Sequence, residues 1–525
     1  MQDSKCDSIY VRYSRFFTRR DTSGSGRLWQ PTLTPLAIGL ESTAVFLLAW
    51  VFFALSILPS DTVFTVDGFY HFRIMEQIWS DGPWVDIRWL PLTMLGEEGP
   101  DHHWLWHLIF SPFGMMEDRV LGLKLALITN GAMVPAIFNI TCRLLGVPLA
   151  PLWSLLLLAA GLTFPARILM LRAQNIAICY LLLTVLFAMR RSYLLLGIIV
   201  FIAIQSYHGS VIIALPILLV LFVLAVREKR FDGKLLIFSS AGLLFGLVLS
   251  PWFPQNVDFL IFHLLFVGVN SLVISSASEW VPMTLSGLWR HAWPAHLLWG
   301  VSLIALVGFR GALVRQAPVV VSNLLALAML LAYASANRFA EYYIPTALLA
   351  AAVNSVPMLG MMKRYATLLI VVSMVVFAGW RIAENMEVYR QAAIFRFTHF
   401  GEIAEMLEQR AEPDSLIFNT GEDFSFLLGH SAKFRYVVGL SPNFLAYQDR
   451  GRYLLWSAIL GPQPLSQDEG KVILEAFGCR WVVVKRSAKA LYNKLLNSPY
   501  ASLELTTDSG YLFSLQEPSF RGGRE

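Results

Sequence analysis

The residues that could do chemistry crowd into one stretch near the N-terminus. VDGFYHFRIMEQIWSDGPW holds Asp67, Tyr70, His71 and Glu76, which a helix would gather toward one end. DIRWLPLTMLGEEGPDHHWLWHLIF follows, with Asp101, His102 and His103 in a row and then Trp104, Trp106 and His107. In a helix, His103 and His107 are four apart and share a face. An aspartate beside imidazoles and a second acid is a donor set for a divalent cation or a phosphate. Asp67, Asp101, His102 and His103 are therefore candidate metal ligands. Structural roles compete with this. Asp67 before a helical stretch is also a natural N-cap. Trp and His also anchor chains at a membrane–water boundary, which is our reading of the tryptophans.

Further candidates lie along the chain. Glu279, in NSLVISSASEWVPMTLSGLW, is the only acid between Asp258 and Glu341. It is either an ordinary solvated glutamate or a functional carboxylate. Arg172 and Gln174 occur in LMLRAQN, His208 in QSYHGS, and Arg338 and Glu341 in NRFAEYYIP. Charges in or beside membrane segments are costly and are functional candidates by default. Arg172 and Arg338, joined by His208, would suit an anionic headgroup, because guanidinium forks match phosphate oxygens. Arg338 and Glu341 could equally form an i,i+3 ion pair.

Composition sets the solvent for these residues. Of 525 residues, 56% are hydrophobic and 15% charged, with a mean hydropathy of +0.57. A soluble protein has about 25% charged residues, so the apolar excess points to a bilayer. The net charge is +5, but the basic residues gather at the ends of apolar runs, which argues against nucleic acid. Cys6, Cys142, Cys179 and Cys479 are scattered without a CxxC, so neither a disulfide framework nor a structural zinc site is expected. The first 35 residues are polar and basic, and we read them as a cytoplasmic segment rather than a cleavable signal peptide.

Eleven apolar runs predict membrane spans, at 36–58, 120–142, 148–165, 172–189, 192–207, 209–226, 234–252, 293–309, 317–335, 341–361 and 365–381. With the N-terminus inside, every inner loop is basic: Arg143, Arg190 and Arg191, Arg227 to Lys234, Arg310 and Arg315, then Lys363 and Arg364. The expected fold is a polytopic α-helical membrane protein, N-in and C-out, in a bacterial-type inner (plasma) membrane. Its membrane domain covers 36–381, with outer loops at 59–119 and 253–292. After 382 the charge rises and the runs shorten. GEIAEMLEQRA and SQDEGKVILEAFG read as helices, the second ending at a glycine C-cap. SLIFNT, KFRYVVGL and RWVVVKR read as strands. A small outer α/β domain over 382–525 follows. SPNFLAYQDR reads as an exposed loop.

Asp67-Gly68-Phe69-Tyr70-His71 after the first span resembles the first acidic motif of GT-C integral-membrane glycosyltransferases, most of all the oligosaccharyltransferase catalytic subunit. Ser278-Glu279-Trp280 is similar to the family's later Glu motif, Asn337-Arg338-Phe339 to its late Arg segment, and Tyr207-His208-Gly209 to a segment of bacterial members. The chain departs from the family at Leu169–Gln174, where a second acidic motif would stand, and it has no WWD-type acceptor motif. The resemblance implies an inverting transfer of a sugar or oligosaccharide from a polyprenyl-phosphate-type donor to an acceptor on the outer face. It implies Asp67 and Glu279 as catalytic carboxylates, and Mn or Mg as the divalent metal. Arg172, Arg338 and His208 would bind the donor phosphate. A lipid-linked sugar transporter or flippase is the alternative; no inverted repeat is visible, and the polar residues map to the outer face rather than mid-depth. A catalytically inactive scaffold is a third possibility.

Overall fold

The computed structural model describes residues 33–518, except 65, 86, 97–98, 162, 268–280, 309–315, 362–363 and 393. Glu279 lies outside the described residues. The chain divides into two compact units: one of Met1–Ser60, His102–Trp106 and Lys124–Ala393, the other of Asp61–Asp101, His107–Leu123 and Ile394–Glu525.

The first unit is helical. Each of the eleven apolar runs contains a helix among the described residues. Among the described residues, six helices are long and apolar enough to cross a membrane: Pro35–Ile57, Arg119–Leu144, His208–Glu228, Leu285–Gly308, Ala317–Ser335 and Tyr365–Met386. Others are shorter: Ala150–Ala159, Gln174–Met189, Tyr193–Ser206 and Gly233–Val248. At 1.5 Å per residue a helix the length of Gln174–Met189 reaches only about 24 Å, less than a hydrocarbon core of about 30 Å. Leu36, Leu40, Leu47, Leu48 and Leu55 stand exposed along Pro35–Ile57. Such a stripe has no place in water and suits lipid. The unit is a multi-pass membrane structure.

Polar contacts tie its helices together where a membrane offers no hydrophobic drive. Arg143 grips Glu41 with two bonds, at 2.7 and 2.6 Å, and Asn139 donates to the same carboxylate at 3.0 Å. Trp299 Nε1 donates to Asn323 Oδ1 at 2.8 Å, Asn323 Nδ2 to Asn354 Oδ1 at 2.8 Å, and Asn354 Nδ2 to Ser302 Oγ at 3.0 Å. That cluster joins Leu285–Gly308, Ala317–Ser335 and Ala340–Met361.

The second unit is built on a five-stranded sheet. Its order is Arg435–Tyr436, Leu416–Phe418, Trp481–Lys485, Gly510–Leu515, Ala501–Thr506. The first three strands run parallel, and the last two pair antiparallel. Phe418, Val437, Ile473, Val482, Val484 and Phe513 fill the core beside it. Helices Gly401–Arg410 and Glu469–Phe477 form where their apolar spacing predicts. Asp468 caps the start of the second, and Gly478 ends it at φ +69°, a conformation that suits glycine. The strand readings shrink to Leu416–Phe418 and Arg435–Tyr436. SPNFLAYQDR is not an exposed loop: Ser441 caps helix Pro442–Gln448, and Phe444, Leu445 and Ala446 are buried.

The early segment folds with these residues. Thr62–Val63 pairs antiparallel with Phe395–Arg396. Trp89 Nε1 donates to the Ala432 carbonyl at 3.2 Å, and Tyr436 N donates to the Trp89 carbonyl at 2.8 Å. Glu76, on helix Asp67–Asp81, bonds Arg73 at 3.0 Å and Arg119 at 2.9 Å. Those guanidiniums in turn reach the last carbonyls of helix Asp423–His430. Arg73 Nε donates to Leu428 O at 3.2 Å and Arg119 Nη2 to Gly429 O at 2.6 Å. The carbonyls at a helix C-terminus lack partners within the helix, and cations there are favourable.

Glu76 is 15% exposed, so removing its charge leaves two guanidiniums uncompensated at a half-dry site. Glu76→Gln should lower stability by about 2–3 kcal/mol. Thermal unfolding of the purified protein, with the protease sensitivity of residues 394–518, measures it. An unchanged midpoint and digestion rate would show that the clamp contributes nothing.

Candidate functional site

Asp67 does not cap its helix. Val66 occupies the N-cap position without a side-chain cap, and Asp67 is the first helical residue. Its charge there favours the positive end of the helix. One turn on stands His71, the head of a hydrogen-bonded chain. His71 Nδ1 lies 2.9 Å from His107 Nε2, and His107 Nδ1 lies 2.7 Å from Asp101 Oδ2. The His107 and Asp101 side chains are 0% and 1% exposed. Counting protons fixes the tautomers. Asp101 accepts from His107 Nδ1–H, so His107 Nε2 accepts from His71 Nδ1–H, and the basic atom of His71 is Nε2. Tyr70 packs edge-on to both rings. Burial, with the charges of Asp101 and Asp67 adding to it, pushes the Tyr70 hydroxyl well above its ordinary range. All of these residues belong to the second unit.

The first unit assembles a different group. His102 and His103 precede helix Trp104–Phe110, so the shared helical face expected for His103 and His107 does not form. His102 stacks on Phe259, with centroids 4.3 Å apart, and His103 stacks on Tyr207 at 5.4 Å. His208 opens the short 3-10 helix His208–Ile213, with its ring 4.9 Å from His102 and 5.6 Å from His103. His263 lies in a π-helical turn, Phe262–Val267, its ring 3.8 Å from that of His208. Burial and the nearby Arg338 and His102 charges push His263 down to about 3, so this imidazole is neutral at ordinary pH. Arg338, on the short helix Asn337–Phe339, acts electrostatically on both His208 and His263.

Arg172 is half-buried just before helix Gln174–Met189. Asn130 Nδ2 donates to its carbonyl at 2.9 Å, and Trp106 Nε1 donates to Asn130 Oδ1 at 3.3 Å. The Trp106 ring packs edge-on to His103 at 6.2 Å, so Arg172 is anchored to the segment that carries the paired histidines.

Glu341, expected as an i,i+3 partner of Arg338, has a partner from far away in the chain. Glu341 pairs with Arg167, and both side chains are buried, at 5% and 7% exposure. A buried carboxylate takes the partner that best excludes water, and Arg167 comes from helix Thr163–Ile168, 174 positions away. The sequence reading missed Arg167 and His263. Neither has a local signal, since each lies in an apolar stretch whose partners arrive from elsewhere in the chain. Thus His102, His103, His208 and Arg338 share one neighbourhood, while Asp67 and Asp101 belong to the other unit.

No family model matches the sequence, and comparison with curated proteins finds no match. Solved structures do match. An oligosaccharyltransferase from Archaeoglobus fulgidus, tethered to an acceptor peptide containing an NVT sequon, superposes with a TM-score of 0.58 at 13% identity, over 91% of this chain and 74% of that one. ArnT from Cupriavidus metallidurans bound to undecaprenyl phosphate gives 0.58 at 15% identity, over 92% and 98%. The fold is that of the GT-C glycosyltransferases. The same ArnT in its apo state gives a TM-score of 0.56 at 15% identity, over 91% and 98%. At such identities the likeness carries the GT-C architecture alone.

A structural role for the Arg167–Glu341 pair has a definite signature within this GT-C fold. Glu341→Ala should cost about 3–5 kcal/mol and depress the yield of monodisperse protein, because it strands a buried guanidinium. Arg167→Met combined with Glu341→Leu should recover most of that loss. A double variant as impaired as the single one in thermal midpoint and elution profile would refute the structural assignment.

Proposed function

We propose that the protein is a glycosyltransferase that moves a sugar or oligosaccharide from a polyprenyl-phosphate-type donor to an acceptor at the outer membrane surface. The observation that carries this reading is the fold likeness, over 92% of the chain, to ArnT holding undecaprenyl phosphate. The arginine–imidazole neighbourhood of the membrane unit adds to it. It supplies permanent positive charge and neutral ring donors of the kind that suit a phosphate.

In this reading the acceptor nucleophile attacks the anomeric carbon as the bond to the donor phosphate oxygen breaks. The configuration inverts and no covalent enzyme intermediate forms. The electron pair leaves with the polyprenyl phosphate, where Arg172, Arg338 and His208 stabilise the growing negative charge. Asp67 receives or orients the acceptor's proton, and Glu279 is the second candidate for that role. Asp67 fits it because it is a half-buried carboxylate on a rigid helix end. Its oxygen donors are also the kind that Mg or Mn prefers, and such an ion would neutralise phosphate charge. Asp101 suits that role less well, because its Oδ2 is engaged by His107 at 2.7 Å. The membrane helices fit a multi-pass protein of the inner (plasma) membrane.

General acid–base groups contribute about 10²–10⁴-fold to rate. Asp67→Asn should therefore reduce release of polyprenyl phosphate from a polyprenyl-phosphate sugar by at least about 100-fold while the variant elutes and melts like the wild type. Turnover at the wild-type rate would remove Asp67 from the chemistry. Donor binding without turnover by the wild type, together with transbilayer movement of the donor in vesicles, would replace the glycosyltransferase reading with a flippase.

A further inference from the structure

The imidazole cluster does more than the proposed phosphate contact requires. Two segments far apart in sequence bring His102, His103 and His208 together so that one ligand atom from each lies within 4.8 Å of the others. Both ring nitrogens of His208 are buried with no hydrogen-bond partner among the described residues, as is Nδ1 of His263. A neutral imidazole has one N–H and one lone pair to satisfy, and each left unmade in the interior costs about 1–3 kcal/mol. Stacking on Phe259 and Tyr207 holds the planes of His102 and His103 in place. The rings are thus fixed by apolar contacts, while the nitrogens of His208 have no hydrogen-bond partner among the described residues.

We infer that His102, His103 and His208 form a binding site for a transition-metal ion of the Zn²⁺ class, distinct in chemistry from a carboxylate site for Mg²⁺ or Mn²⁺. The donors are three imidazole nitrogens, which favour Zn, Co, Ni or Cu, whereas Mg and Mn favour oxygen. Zn–N bonds of about 2.0–2.1 Å place tetrahedral ligands roughly 3.4 Å apart, so the site closes on an ion by side-chain shifts of about 1 Å. Three protein ligands leave the fourth position for water or a substrate oxygen. Arg338 nearby raises the electrostatic cost of a second cation, and an anionic oxygen in that open position offsets it. The inference concerns metal binding alone and does not rest on the glycosyltransferase reading.

The test uses the full chain in detergent, free of any polyhistidine tag, stripped with a chelator and titrated with Co²⁺. The expected result is about one Co²⁺ per chain with the intense visible bands of a four-coordinate ion, displaced by Zn²⁺ and untouched by a large excess of Mg²⁺. Loss of an outer hydrogen-bond partner typically weakens metal affinity 10–100-fold, so loss of a ligand in His208→Asn should weaken Co²⁺ binding by at least about 100-fold. His102→Gln should do the same and serves if His208→Asn fails to fold. His296→Gln, whose histidine bonds Tyr343 and Leu288 instead, should retain the bands. Absence of the bands in the wild type, their survival in folded His208→Asn and His102→Gln, or displacement by Mg²⁺ as readily as by Zn²⁺ would each overturn the inference.

Discussion

One carboxylate organises the second unit. Glu76 holds Arg73 and Arg119 side by side, and each then spends its remaining N–H groups on the open carbonyls at the end of helix Asp423–His430. Two guanidiniums so close would repel without it. With it, they become a cap that joins residues more than 300 positions apart in sequence. Glu76 shares helix Asp67–Asp81 with Asp67 and His71, so the same bond that closes the unit also fixes the helix that presents the acid and the head of the imidazole chain. Loss of that bond would free the chemistry-bearing helix to rotate or fray.

The two units satisfy buried imidazoles in opposite ways. In the second unit, His71 Nδ1 and both nitrogens of His107 lie in one hydrogen-bonded chain, and Asp101 decides the tautomer of both rings. In the membrane unit, His208 and His263 pack against other rings, and both nitrogens of His208 and Nδ1 of His263 have no hydrogen-bond partner among the described residues. A chain of the first kind links one ring to the next and ends on a carboxylate. A cluster of the second kind is built to meet something else with its lone pairs. Both arrangements occur within one GT-C fold.

The membrane half was legible in the sequence because hydropathy acts locally. Each apolar run became a helix, and the basic residues marked the run ends. Helices Gly401–Arg410 and Glu469–Phe477 were legible for the same reason, since amphipathic spacing and a C-capping glycine are written within one segment. The hairpin Ala501–Leu515 and helix Pro442–Gln448 were not. Their residues become apolar-inward only against a core formed by distant strands. At the site, Asp67, Asp101, His102, His103, His208 and Arg338 could be picked out by type. Their grouping could not, because Asp101 turns to His107, and His102 and His103 turn to Tyr207, Phe259 and His208.

The missing second acidic motif follows the same logic. The stretch Leu169–Gln174 holds no acid and carries Arg172, anchored through its backbone by Asn130 and, through Trp106, to the His102–His103 segment. An arginine in a stretch without an acid leaves it positively charged. Permanent positive charge favours anions and raises the cost of a cation nearby, so a metal held by uncharged donors there would need an anionic fourth ligand. The arginine and the histidines are therefore mutually consistent. Arg172 and Arg338 thus give this unit permanent positive charge that would suit an anion, and its imidazole lone pairs are the donors that a nitrogen-preferring metal would use.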